Sequence, residues 1–205
     1  MNETLLPAAC LIAAMMMSQS VLAVTPTVIQ LADPLDDARG WCVDLFAHLT
    51  NALPLGGLQG HNCFLYMGRG PTEDQGFDAD LIQEKGEFRM IYFDMCMTLH
   101  DPNPGSFVPI EPCNDGEAQD FEMTPDGQIV STMAPDLCLT LGATTVPGGG
   151  RRAPASRPPT QNNDDIPQIR RLTFETCSDD IGIRQRWRLE DNYELYEPSV
   201  PKRFQ

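Results

Sequence analysis

The chain has 205 residues, with 18 prolines, 16 glycines and a formal net charge of −15 at pH 7. That length holds one substantial core or two small ones, and the abundance of turn-formers favours a β protein over a helical bundle. The charge repels phosphate backbones and anionic bilayers, so nucleic acid and acidic membrane surfaces are not expected partners; its plainest use is solubility.

In chain order, the first feature is an apolar run from Leu5 to Met17, followed by SQSVLA with Val21 and Ala23 at small or aliphatic positions. The run is too short to span a bilayer, which needs roughly 18 apolar residues or more. The pattern predicts a signal peptide over residues 1–23, although Glu3 stands where Lys or Arg is usual. Residues 24–205 then form one exported domain, secreted or periplasmic, with no transmembrane segment. Removing the leader takes away Cys10 and leaves Cys42, Cys63, Cys96, Cys113, Cys138 and Cys177. An even count in an exported chain predicts three disulfides. No pair has CxxC spacing, which argues against zinc and thioredoxin-like redox chemistry.

The six cysteines fall into a repeat. WCVDL, MCMTL and LCLTL surround Cys42, Cys96 and Cys138, and each reads apolar–Cys–apolar–polar–Leu. A turn-rich loop and a second cysteine follow each one: Cys63, Cys113 and Cys177. After each second cysteine comes Gln-x-aromatic: Gln75 with Phe77, Gln119 with Phe121, and Gln185 with Trp187. Six cysteines allow about fifteen pairings, and the repeat makes one simplest, in which each unit closes on itself: Cys42–Cys63, Cys96–Cys113 and Cys138–Cys177.

The runs GEFRMIYFDMCMTL, DGQIVSTM and IRQRWRLE alternate or are β-branched and are bounded by Gly, Pro and Asp, so the units read as strands. In a strand, residues two apart share a face, so Gln185 and Trp187 point the same way. The aromatic fills core. A buried Gln needs partners for both ends of its amide, so Gln-x-aromatic is first a structural device that ties a loop to a strand. One segment breaks the regularity. Residues 142–170, GATTVPGGGRRAPASRPPTQNNDDIPQI and the residue after it, lack apolar periodicity and read as a flexible insertion inside the third unit. Its Arg151, Arg152 and Arg157 are most simply a solvated loop.

With this order of motifs, the chain from about Thr27 to about Tyr196 resembles the ricin-type β-trefoil lectins, also called R-type or QxW lectins. Phe77 and Phe121 stand where that family prefers Trp. The resemblance implies an all-β, pseudo-threefold β-trefoil: a six-stranded barrel closed by three hairpins, able to hold one sugar per unit. The sugar site it implies uses a carboxylate two residues after the leading cysteine, a flat side chain two before the second cysteine, and polar groups around them. Carboxylates accept charge-assisted hydrogen bonds from adjacent hydroxyls, and a flat face stacks on the apolar side of a sugar ring.

Carried onto this sequence, that site is Asp44, Gln59, His61, Asp74 and Gln75 in the first unit. Asp74 stands where the family often has Asn, and His61 is a smaller platform than Trp or Tyr. The second unit offers Thr98 and Glu111, and the third Thr140 and Glu175, so neither supplies the carboxylate. One galactose- or N-acetylgalactosamine-type site is therefore the expectation, with glycans as partners and no cofactor implied. The rival readings are a hydrolase and a protein-interaction module. There is no GxSxG or HExxH, His48, His61 and His100 are scattered, and Asp179 with Asp180 reads as a turn. Asp78–Asp80 lacks the Gly-bearing loop of a calcium site. No catalytic residue and no metal ligand is assigned. A secreted trefoil that has lost sugar binding and contacts another protein through its loops is the alternative reading.

Overall fold

The computed structural model describes residues 24–64, 70–148 and 166–190; the leader assigned to 1–23 lies outside them. The elements group into three units. The first holds β1 (Pro26–Leu31), β2 (Trp41–Leu45), β3 (Leu58–Asn62) and β4 (Phe77–Asp78). A short helix, α1 (Ala79–Lys85), follows. The second unit holds β5 (Arg89–Met90), β6 (Met95–Met97), β7 (Ser106–Phe107), β8 (Ile110–Pro112) and β9 (Phe121–Met123). The third holds β10 (Ile129–Ser131), β11 (Ala134–Pro147), β12 (Gln168–Thr176) and β13 (Trp187–Glu190).

The outer strands of the units close a barrel. β1 pairs antiparallel with β4 on one side and β13 on the other, and β4 pairs with β5. β9 pairs with β10. Two seams complete the ring: Phe121 N donates to Gly86 O at 3.1 Å, and Trp187 N donates to Gly127 O at 2.7 Å. Both seams are built at glycines with positive φ, 68° and 83°. A Cβ on Gly86 would stand 2.0 Å from Phe121 O, and one on Gly127 2.5 Å from Trp187 O, so a side chain at either point would push the strands apart. Phe77, Phe121 and Trp187, the three aromatics of the repeat, are buried in the core, with Phe88 edge-on to Phe121 at 5.8 Å and Phe174 stacked on it at 5.5 Å.

The inner strands form hairpins whose registers agree. Cys42 pairs with His61, Cys96 with Glu111 and Cys138 with Glu175, so each leading cysteine faces the residue two before the second one. The disulfides are Cys42–Cys63, Cys96–Cys113 and Cys138–Cys177, the intra-unit pairing. Together these are a pseudo-threefold β-trefoil.

Two local features depart from the sequence reading. The segment 142–170 is not an unpatterned loop at its ends. Thr145, Val146 and Pro147 pair with Arg170, Ile169 and Gln168, past an irregularity that begins after Leu141, so two strands run out from the hairpin; 149–165 lies outside the described residues. Asp78 starts a short helix that the sequence reading did not include. Its Oδ1 accepts from Asp80 N and Leu81 N at 3.2 and 3.3 Å, capping α1, whose far end closes on Gly86 in the left-handed region.

Candidate functional site

Each unit carries the same polar knot. In the first, Gln75 Nε2 donates to Asp44 Oδ2 at 3.0 Å and to Asn62 O at 3.1 Å, while its Oε1 accepts from Phe64 N at 3.1 Å. In the second, Gln119 Nε2 donates to Thr98 Oγ1 and Pro112 O, and its Oε1 accepts from Asn114 N. In the third, Gln185 does the same with Thr140 Oγ1, Thr176 O and Ser178 N. The glutamine thus clamps the backbone on both sides of the second cysteine to the side chain two after the first. This satisfies the whole of a fully buried amide, and it is the structural role expected of Gln-x-aromatic.

The first unit differs in one respect. Thr98 and Thr140 accept with a single hydroxyl and donate it to Cys96 O and Cys138 O. Asp44 has a second oxygen, and Oδ1 accepts from Gln59 Nε2 at 2.8 Å. Asp44 is 1% exposed. Burial, and next the charge of Asp74, push its carboxyl well above the usual carboxylate range, against the lowering effect of the Gln59 and Gln75 hydrogen bonds.

The structure brings all five expected residues together. Asp44, Asp74 and Gln75 are buried; His61 is 8% exposed, and Gln59 is half-buried. Asp74 is held by two loops: Thr72 Oγ1 of its own loop donates to Oδ1 at 2.7 Å, and Leu49 N of the β2–β3 loop donates to Oδ2. His61 Nδ1 meets Asn62 O at 2.8 Å, so the neutral ring carries its proton there and leaves Nε2 as an acceptor. Burial holds its pKa below 6.5. Phe64 lies beside His61 with centroids 5.1 Å apart, and His48 meets the Phe64 ring edge-on at 6.3 Å. His48, Leu49, Phe64 and Thr72 were not part of the expected set, because the motif spacing says nothing of the loops that fold over it.

The equivalent positions elsewhere make other contacts. Glu111 pairs with His100 at 2.8 Å, and Glu175 Oε1 accepts from Thr173 Oγ1 at 2.7 Å. Arg184 stands where the first unit has Asp74, and donates to Leu141 O.

Three units, each with two barrel strands and a two-stranded hairpin and each tied by a disulfide and a buried glutamine, define a β-trefoil. The chain has the β-trefoil fold: it superposes on an agglutinin from Abrus precatorius over 83% of its length with a TM-score of 0.52 at 19% identity. It spans about half of that agglutinin chain, 49%. Cytolethal distending toxin from Actinobacillus actinomycetemcomitans is a second similar structure, with a TM-score of 0.50 at 16% identity over 86% of this chain and 97% of that one. At these identities the likeness establishes the fold. No protein-family profile and no curated protein sequence matches the chain.

Proposed function

We propose that this domain is an exported, non-catalytic carbohydrate-binding module with one galactose-type site in the first unit, formed by Asp44, Gln59, His61, Asp74 and Gln75. The observation that carries the reading is the surplus oxygen of Asp44. A threonine hydroxyl suffices for the glutamine clamp in the other two units, whereas the first buries a carboxylate beside a second carboxylate, at a cost in desolvation and repulsion. Asp44 Oδ1, the Gln59 amide and His61 Nε2 then offer adjacent polar groups to two neighbouring sugar hydroxyls, with the imidazole as the flat face. The likeness to an agglutinin supports a glycan as ligand. The three disulfides support export. One shallow site binds near millimolar, about −4 kcal/mol, so useful avidity needs several copies.

The second reading, a trefoil that contacts a protein instead, is favoured by the roof over the site. Leu49 occupies Asp74, Phe64 leans on His61, and the same first-unit loop exposes Phe46, Leu53 and Leu55. A glycan array probed with the oxidised domain and with Asp44→Thr separates the two. Galactose-type binding that vanishes in the variant supports the sugar site; silence from a correctly folded wild-type domain assigns the loop surface to a protein partner.

A further inference from the structure

The hairpin strand β3 is flanked on its far side by β12 of the third unit, and this places a cation against the site. Asp44 faces Gln59 across β2 and β3, and Gln59 faces Arg171 across β3 and β12. Directly paired residues project from the same face of a sheet, so Asp44, Gln59 and Arg171 form one row, two strand spacings or roughly 10 Å from end to end. That span is about the length of two linked sugar rings.

The two arginines of β12 are in opposite states. Arg170 is buried under a full set of partners: Asp36 Oδ1 at 2.6 Å, Gly142 O, Thr145 Oγ1 and the Trp41 ring at 4.6 Å. Arg171 is exposed, and among the described residues its guanidinium makes one long hydrogen bond, 3.4 Å to Gly105 O, and no ion pair. In a chain of 29 acidic against 14 basic residues, an exposed arginine beside a polar site with no carboxylate partner among the described residues stands out. Phe107 is 48% exposed and pairs with Thr173, two residues along β12 from Arg171, with its ring lying against Gly57. The acidic groups that face the row, Asp44 and Asp74, lie at the opposite end and are engaged by Gln59, Gln75, Thr72 and Leu49; Glu175 on β12 is held by Thr173.

We infer that the first-unit site takes an acidic saccharide, one whose neutral ring sits over Asp44 and Gln59 and whose neighbouring carboxylate or sulfate pairs with Arg171. The inference rests on the sugar-binding reading given above. The planar guanidinium fork matches either anion bidentately.

The test uses immobilised wild-type, Arg171→Gln, Arg171→Lys and Asp44→Thr domains with three probes: a neutral galactoside, the same galactoside bearing a sialic acid, and the same bearing a sulfate. Wild type should bind one or both acidic probes about tenfold better than the neutral one, with the gap closing as salt rises. Arg171→Gln should lose that preference and keep neutral binding, while Arg171→Lys should restore part of it. Asp44→Thr should lose all three. Equal neutral and acidic binding, or a preference that survives in Arg171→Gln, overturns the role of Arg171 and leaves the sugar site standing. Binding to none of the probes by folded wild-type domain overturns the sugar site and this inference with it. The two acidic probes distinguish carboxylate from sulfate.

Discussion

Gln75 holds Asp44 by a 3.0 Å hydrogen bond in the place where Gln119 holds Thr98 and Gln185 holds Thr140. The residue proposed to bind a sugar is thus also a fastening of the fold, and substitutions at Asp44 must be chosen with both roles in mind. Asp44→Ala leaves a buried amide without its acceptor and should destabilise the domain by about 1–3 kcal/mol. Asp44→Thr copies the other two units and should cost about 1 kcal/mol or less, while still removing the second acceptor oxygen. Urea denaturation of both variants checks this; equal losses would show that the threonine cannot take over the clamp.

The raised pKa of Asp44 fixes the sign of a pH effect. The folded carboxyl keeps its proton to higher pH than the unfolded one, whose ordinary value is 3.8. Ionisation therefore costs stability above 3.8, and the cost is relieved as pH falls through the folded pKa. His61 acts in the opposite sense: burial lowers its pKa from 6.5, so its penalty grows as pH falls below 6.5. The stability of wild type minus that of Asp44→Thr isolates the first effect. Measured by urea denaturation at a series of pH values, the difference should move in favour of wild type as the solution is acidified toward 3.8. A flat difference would mean that Asp44 titrates alike in both states.

The three disulfides close loops of different size, with sequence separations of 21, 17 and 39. In the chain-entropy account each contributes about 3–4 kcal/mol, and the Cys138–Cys177 bridge exceeds Cys96–Cys113 by about 0.7 kcal/mol. Paired Cys→Ala variants, compared by thermal unfolding, should lose stability in that order. The reverse order would point to residual structure in the third unit of the unfolded chain.

The two tryptophans are equally buried but not equally satisfied. Trp187 Nε1 donates to Leu139 O at 2.9 Å, whereas Trp41 Nε1 has no hydrogen-bond partner among the described residues. Removing an unpaired buried N–H offsets the lost ring area, so Trp41→Phe should cost at least about 1 kcal/mol less than Trp187→Phe. Denaturant midpoints of the two variants settle it.

The fold was legible because its fastenings are short-range and repeated. A cysteine, a polar residue two places on, a second cysteine and a glutamine recur in order, and the hydrogen bonds join those same positions. The five candidate residues were named from the resemblance, and the motif positions that carry it are the ones the hydrogen bonds join at Asp44 and Gln75. What the sequence hid was made by contacts between loops and between units. Nothing near Asp74 announces that Leu49 N will occupy it, and Arg171 meets Gln59 only because strands 112 residues apart in sequence lie side by side. The ends of 142–170 were missed because glycine at 142 and an irregular register interrupt the alternation, although Thr145 and Val146 are β-branched. The α1 helix was missed because only seven residues separate Asp78 from Gly86, too few to show an apolar stripe, while the cap residues at both ends were in plain view.

β12 has a wider consequence. Besides β11 of its own unit, it pairs with β3 of the first unit through Ile169–Arg171 and with β7 of the second through Thr173 and Phe174. The sequence repeats as three modules, but the material does not divide at the module boundaries. Cutting away the first unit strips one stretch of β12 bare, and cutting away the second strips another, each leaving unpaired backbone groups that invite aggregation. Strand pairing of this kind predicts that the trefoil melts, and forms, as one unit.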